Sequence, residues 1–158
     1  MNKEFIFELG KFHGAWATID VELDLAISKS LNLSYEDAQM VTAGMQFGSK
    51  IRILYNIIKR GNHPNKSKII DALNTLRNKV KRNIVAHSYM ITDEKTVTFI
   101  ERSGAHSYEV TKHEYTLESF KDLVKLMTQT GIQLFEAVEL SNSELQKFGE
   151  AAFKSTKS

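Results

Sequence analysis

The chain contains one proline, Pro64, in 158 residues, and its eight glycines are too scattered to punctuate it into short segments. With so few breakers, apolar residues recurring every three or four positions have room to build long helices. The first is predicted over about 3–31, where Phe12, Trp16, Ile19, Leu23 and Ile27 form one stripe. Ser34, followed by Tyr35, Glu36 and Asp37, offers a hydroxyl N-cap with acids in the first turn. It opens a second helix to about residue 60, with Met40, Gly44, Phe47, Ile51, Leu54 and Ile58 as its inward row. Gly61-Asn-His-Pro64 ends that helix, and a third is expected over about 66–87, turning Ile70, Leu73, Val80 and Ile84 inward.

The period then changes. Thr96 to Ile100 and Ser107 to Thr111 are β-prone runs flanking Arg102-Ser-Gly-Ala-His106, which reads as a hairpin. Thr116 is placed to cap a fourth helix over about 117–140, carrying Phe120, Leu123, Leu126, Met127, Ile132, Leu134 and Phe135. A last amphipathic piece covers about 143–153, and residues 154–158 are expected as a frayed tail. The expected fold is a single, mainly all-α domain over 1–153. It is a four- or five-helix up-and-down bundle with a small β-hairpin inserted between helices 3 and 4. Trp16 reads as core or dimer surface, and Arg77, beside the inward stripe, as a structural partner for Asp20 or Asp24.

Composition narrows the function classes. With 42% hydrophobic and 25% charged residues the chain is expected to fold. The absence of cysteine excludes disulfides and thiolate metal sites. His13, His63, His106 and His113 show no spacing that would face a metal from one helix, so neither metal nor cofactor is expected. Acidic residues interrupt the opening Met1 to Glu8, and no run approaches about 18 apolar residues. No membrane association is therefore expected, and a cytoplasmic location follows by default. No glycine-rich phosphate loop, nucleophile elbow or zinc-protease signature is present.

The formal charge of +2 hides a strong asymmetry. Residues 1–49 carry three basic and seven acidic side chains, a balance of −4, and residues 50–82 carry ten basic side chains against Asp71 alone, a balance of +9. Residues 83–158 return to −3, with eight basic and eleven acidic side chains. Positive charge concentrated in one third of a chain points to an anionic partner, or to a solvated face that answers an acidic one.

That basic third ends in Arg82-Asn-Ile-Val-Ala-His87-Ser-Tyr89. On one continuous helix Asn83 lies about 100° from Arg82, His87 about 140°, Lys79 about 60° and Asn78 about −40°. These side chains form a polar arc beside the apolar stripe, with Lys79 and Asn78 available to phosphate. Across about 140°, Arg82 meets His87 only if its stem bends over Asn83 or if a second protomer brings the partner group. Arginine offers a permanently charged donor fork suited to phosphate, and histidine exchanges protons near neutral pH. Those are the two capacities that phosphodiester cleavage without a metal requires.

Arg82-Asn83-Ile-Val-Ala-His87 resembles the R-x4-6-H motif of HEPN domains, including the polar residue that often follows the arginine. The resemblance implies an up-and-down helical bundle that pairs as a homodimer, so that two motifs line one cleft and act as a metal-independent endoribonuclease in a toxin or defence role. It assigns Arg82 to the scissile phosphate, His87 to proton transfer at the ribose 2′-hydroxyl, and Asn83 to orienting one of them. His87-Ser-Tyr89 is similar to the R-x4-H-x-Y variant of HEPN toxins paired with nucleotidyltransferase-type antitoxins, in which the tyrosine is adenylylated; Tyr89 is the matching position. The hairpin departs from those compact toxins. The alternative is a non-catalytic dimerisation, nucleotide-binding or RNA-binding module on the same fold.

Overall fold

The computed structural model describes residues 2–104 and 107–154. Within them seven helices and three strands follow one another: α1 (Lys3–Leu31), α2 (Tyr35–Thr42), α3 (Phe47–Arg60), α4 (Lys66–Asn78), α5 (Arg82–His87), β1 (Tyr89–Thr92), β2 (Thr96–Ser103), β3 (Glu109–Thr116), α6 (Leu117–Ala137) and α7 (Asn142–Lys154). Lys154 belongs to α7, and the rest of the expected tail, 155–158, lies outside the described residues. No helix among the described residues is long and apolar enough to cross a membrane.

The long helices form where periodicity and caps agree. Asn2 accepts from the Glu4 N–H at 3.0 Å and opens α1. Asn32, left-handed at φ 53°, closes it, with the Leu33 N–H on the Ser28 carbonyl at 2.9 Å. Ser34 Oγ accepts from the Asp37 N–H at 3.1 Å and Thr116 Oγ1 from the Ser119 N–H at 3.2 Å, so both predicted caps are in place.

Two predicted helices are broken, and both breaks follow from the phase of the apolar residues. In place of one helix over 35–60, α2 and α3 are separated by Ala43-Gly-Met-Gln46. The faces buried are Ala38 and Thr42 on α2, then Phe47, Ile51, Leu54 and Ile58 on α3. The five-residue step from Thr42 to Phe47 would rotate the stripe by about 140° on a continuous helix, and the break restores it to the core. Met40, expected inward, is 72% exposed, and Gly44 lies in the connection.

The helix expected over 66–87 divides in the same way. Val80 and Val85 are both buried, again five residues apart, and Lys81 at φ 51° turns the chain between them. A left-handed conformation is uncommon for lysine and is held here by the burial on either side. The polar arc drawn on one helix is thereby cut, with Asn78 and Lys79 on one side and Arg82, Asn83 and His87 on the other.

The expected hairpin is a three-stranded antiparallel sheet ordered β1-β2-β3. Its extra strand is the chain leaving α5, with Tyr89 opposite Ile100 and Met90 opposite Phe99. Asp93 latches the first turn, accepting from the Lys95 and Thr96 N–H groups at 2.7 Å. These bonds, with the Thr96 hydroxyl, hold its carboxyl below the usual aspartate range. Ala105 and His106, between β2 and β3 in sequence, lie outside the described residues.

Phe120 of α6 ties the sheet to the bundle. Its ring centroid lies 6.3 Å from Phe5, 6.2 Å from Phe12, 5.9 Å from Phe99 and 5.9 Å from Tyr115, joining α1, β2 and β3. Further along, α1 and α6 approach closely at Gly131, where a Cβ would stand 2.8 Å from Ile19 Cγ1. Glu22 is buried at that seam, 7% exposed, with Oε2 lacking a hydrogen-bond partner, and burial pushes its carboxyl up to about 7.

Arg77 does not pair with Asp20 or Asp24. Lys50, 4% exposed on α3, takes both carboxylates at 2.9 and 2.8 Å, while Arg77 is solvent-exposed. Burial works against the Lys50 charge, but the two carboxylates outweigh it and raise its pKa above the ordinary lysine value. Burial likewise raises Asp24, against the pull of Lys50.

Candidate functional site

The break at Lys81 gives Arg82, Asn83 and His87 a short helix of their own, wedged between the bundle and β2. Arg82 reaches back along it. Its Nη1 donates to Asn83 Oδ1 at 3.0 Å and lies 3.2 Å from His87 Nε2. The stem bends over Asn83, and the two groups meet within one chain.

Trp16 makes that bend possible. The Arg82 guanidinium carbon lies 3.7 Å above the Trp16 ring centroid, a cation–π contact worth about 0.5–2 kcal/mol. The indole is half-buried and held edge-on by Phe47 at 6.3 Å, so it is neither plain core nor open surface. Arg82 Nε and Trp16 Nε1 are both buried without a hydrogen-bond partner among the described residues. Two orphaned donors on one stacked pair concentrate unsatisfied polarity at this point. Burial lowers the Arg82 pKa below its ordinary value, with the Asp20 carboxylate opposing.

Three cavities surround α5. One of about 580 Å³ holds Trp16, Asp20, Arg82, Asn83, His87 and Glu101 on its walls. It shares Arg82 and Asn83 with a second, of about 470 Å³, to which Arg52, Arg77 and Lys81 contribute charge and no carboxylate does. It shares His87, Ser88 and Arg102 with a third, of about 570 Å³, walled by Tyr89, Ile100 and Tyr108. Through these shared wall residues the three adjoin one another as a band around the short helix, and the Arg82–His87 pair lines the central one. Lys79 and Asn78, exposed where α4 ends, line none of the three cavities.

Tyr89 is 58% exposed at the start of β1, with its hydroxyl accepting from Arg102 Nη2 at 2.5 Å and its ring 4.1 Å below the same guanidinium. Arg102 and Tyr108 escape sequence reasoning, because nothing local in β2 or the turn marks them. Only the register, which sets Tyr89 opposite Ile100, places Arg102 beside it. Among the described residues no three His, Asp or Glu side chains gather closely enough to hold a metal ion. No protein-family model, curated protein or solved structure matches the chain.

Proposed function

We propose that the protein is a HEPN-type endoribonuclease that cleaves single-stranded RNA without a metal, acting as a homodimer in a toxin or defence role. The observation that carries the reading is the meeting of Arg82 Nη1 and His87 Nε2 at 3.2 Å in an open cavity, with Asn83 on the same guanidinium. A phosphate entering the cavity competes for the Arg82 donors and frees Nε2. That nitrogen then takes the proton of the ribose 2′-hydroxyl, whose oxygen attacks phosphorus. The P–O5′ bond breaks to leave a cyclic phosphate, and a second copy of His87 in the dimer, entering protonated, supplies the proton to O5′. Arg82 holds the charge that builds on the phosphoryl oxygens. By the same resemblance Tyr89, an exposed residue whose hydroxyl accepts from Arg102, is the position for adenylylation by a nucleotidyltransferase-type antitoxin.

The contact of Arg82 with His87 Nε2 also favours a second reading, a non-catalytic module that binds nucleotide or RNA with this base permanently occupied. Turnover separates them. Incubated with total RNA in a chelating buffer, the purified chain is expected to release cyclic-phosphate ends, and His87→Ala to lose cleavage by several hundred-fold or more, within the roughly 10² to 10⁴ of general acid–base catalysis. Cleavage unchanged in His87→Ala refutes the enzyme; RNA binding without turnover establishes the module.

A further inference from the structure

The cavity on the sheet side of His87 is built differently from the one that holds the Arg82–His87 pair. The central cavity carries two carboxylates, Asp20 and Glu101, whereas no carboxylate among the described residues lines the sheet-side cavity. Its walls are instead aromatic and cationic. Alternation along β2 buries Val97 and Phe99 and turns Ile100 and Arg102 to the opposite face, where Tyr89 stands directly across from Ile100. Tyr108 completes the wall at 73% exposure. Two exposed tyrosines with an arginine already stacked on one of them form a platform that suits a flat π-face, and an anionic group beside it meets Arg102 and His87. The volume of about 570 Å³ lies within the usual range for small-ligand sites.

We infer that this cavity is a nucleobase subsite: the base next to the phosphate held at Arg82 stacks on Tyr108 and Tyr89, and Arg102 bridges that base to the backbone. The inference rests on reading the site as one that receives single-stranded RNA. The opposite end of the band complements it, since Arg52, Arg77 and Lys81 there have no aromatic platform of comparable exposure and offer charge for the following phosphates. Stacking and phosphate contact are therefore divided between the two sides of α5. The two sides differ in their response to salt, because only displaced counterions make binding salt-dependent.

The test uses the chain of residues 1–158 carrying His87→Ala and a short single-stranded oligoribonucleotide containing a fluorescent adenine analogue whose emission falls on stacking. Emission is expected to fall on binding. Adding Tyr108→Ala is expected to weaken binding about 5- to 150-fold and abolish the quenching, with Tyr108→Phe restoring both and the salt slope unchanged. Adding Arg77→Gln with Lys81→Gln is expected to lower the salt slope by about 2 and leave the quenching intact. Equal affinity and quenching in the Tyr108→Ala background overturn the subsite, as does failure of Tyr108→Phe to restore them. The cleavage reading is judged separately, on the chain with His87 in place. Cleavage with an unaltered KM in Tyr108→Ala sinks the subsite alone, and quenching without cleavage sinks the enzyme alone. An absence of RNA binding overturns both.

Discussion

Glu22→Gln isolates one buried carboxyl at the α1–α6 seam. In the folded protein burial raises this group from its ordinary 4.5 to about 7, and no charged neighbour contributes. Between those values the folded chain holds a proton that the unfolded chain releases. The group's stabilisation is thus complete below about pH 4.5 and is lost as pH rises through 7, which is the direction for a raised acid. The gap corresponds to about 3 kcal/mol once the carboxylate is forced to ionise in place. Glutamine keeps the shape and never ionises, so it removes that loss. For a chain of this length about 1 kcal/mol moves the melting temperature by roughly 2–4 °C. The difference in Tm, variant minus parent, is therefore expected to grow by roughly 6–12 °C between pH 4.5 and pH 8.5. Thermal unfolding followed by circular dichroism across that range measures it, and subtraction cancels every other titrating group. Parallel curves for the two proteins would refute the burial argument.

Other sites give independent checks. Lys50→Ala strands Asp20 and Asp24 without their cation and is expected to cost roughly 3–5 kcal/mol in urea unfolding at pH 7, with part of the loss recovered at low pH as the carboxylates protonate. Phe120→Ala removes the ring that joins α1, α6 and the sheet, and a loss of roughly 3–5 kcal/mol is expected by the same measurement. Trp16→Leu keeps an apolar side chain and deletes the stacking surface under Arg82. It is expected to lower kcat at least tenfold while moving Tm by only a few degrees, and an unchanged kcat would show that the stack does not position Arg82.

The elements legible in the sequence are those in which one phase of periodicity runs unbroken between two caps. Helix α1 and the start of α6 at Thr116 meet that condition. The breaks at 43–46 and 79–81 were hidden because neither carries a proline, and the second carries no glycine either. Only the burial of Phe47 and Val85, both shifted by five residues from the preceding buried position, shows that one continuous helix would misalign them. Strand β1 was hidden for another reason: Tyr89 to Thr92 is too short to declare itself without β2 alongside. At the site, Arg82, Asn83 and His87 were legible as a motif, but their contact in one chain depends on Trp16, some 66 residues earlier, and on a turn at Lys81 that no residue type advertises. Lys50 displaced Arg77 as partner of the α1 acids because a buried lysine is rarely anticipated from composition.

The left-handed turn at Lys81 has a further consequence for the time the pair exists. It parts α5 from the bundle, and Ser88 alone links α5 to β1. Arg82 is held from the bundle side by Trp16, and His87 stands at the other end of the same six-residue helix, next to β1. The pair spans the seam where bundle and sheet share one core, and it keeps its geometry while α5 stays docked on Trp16. A phosphate that grips both ends taxes their separation, so amide deuterium uptake in β1 and β2 is expected to slow on ligand binding while uptake in α4 does not.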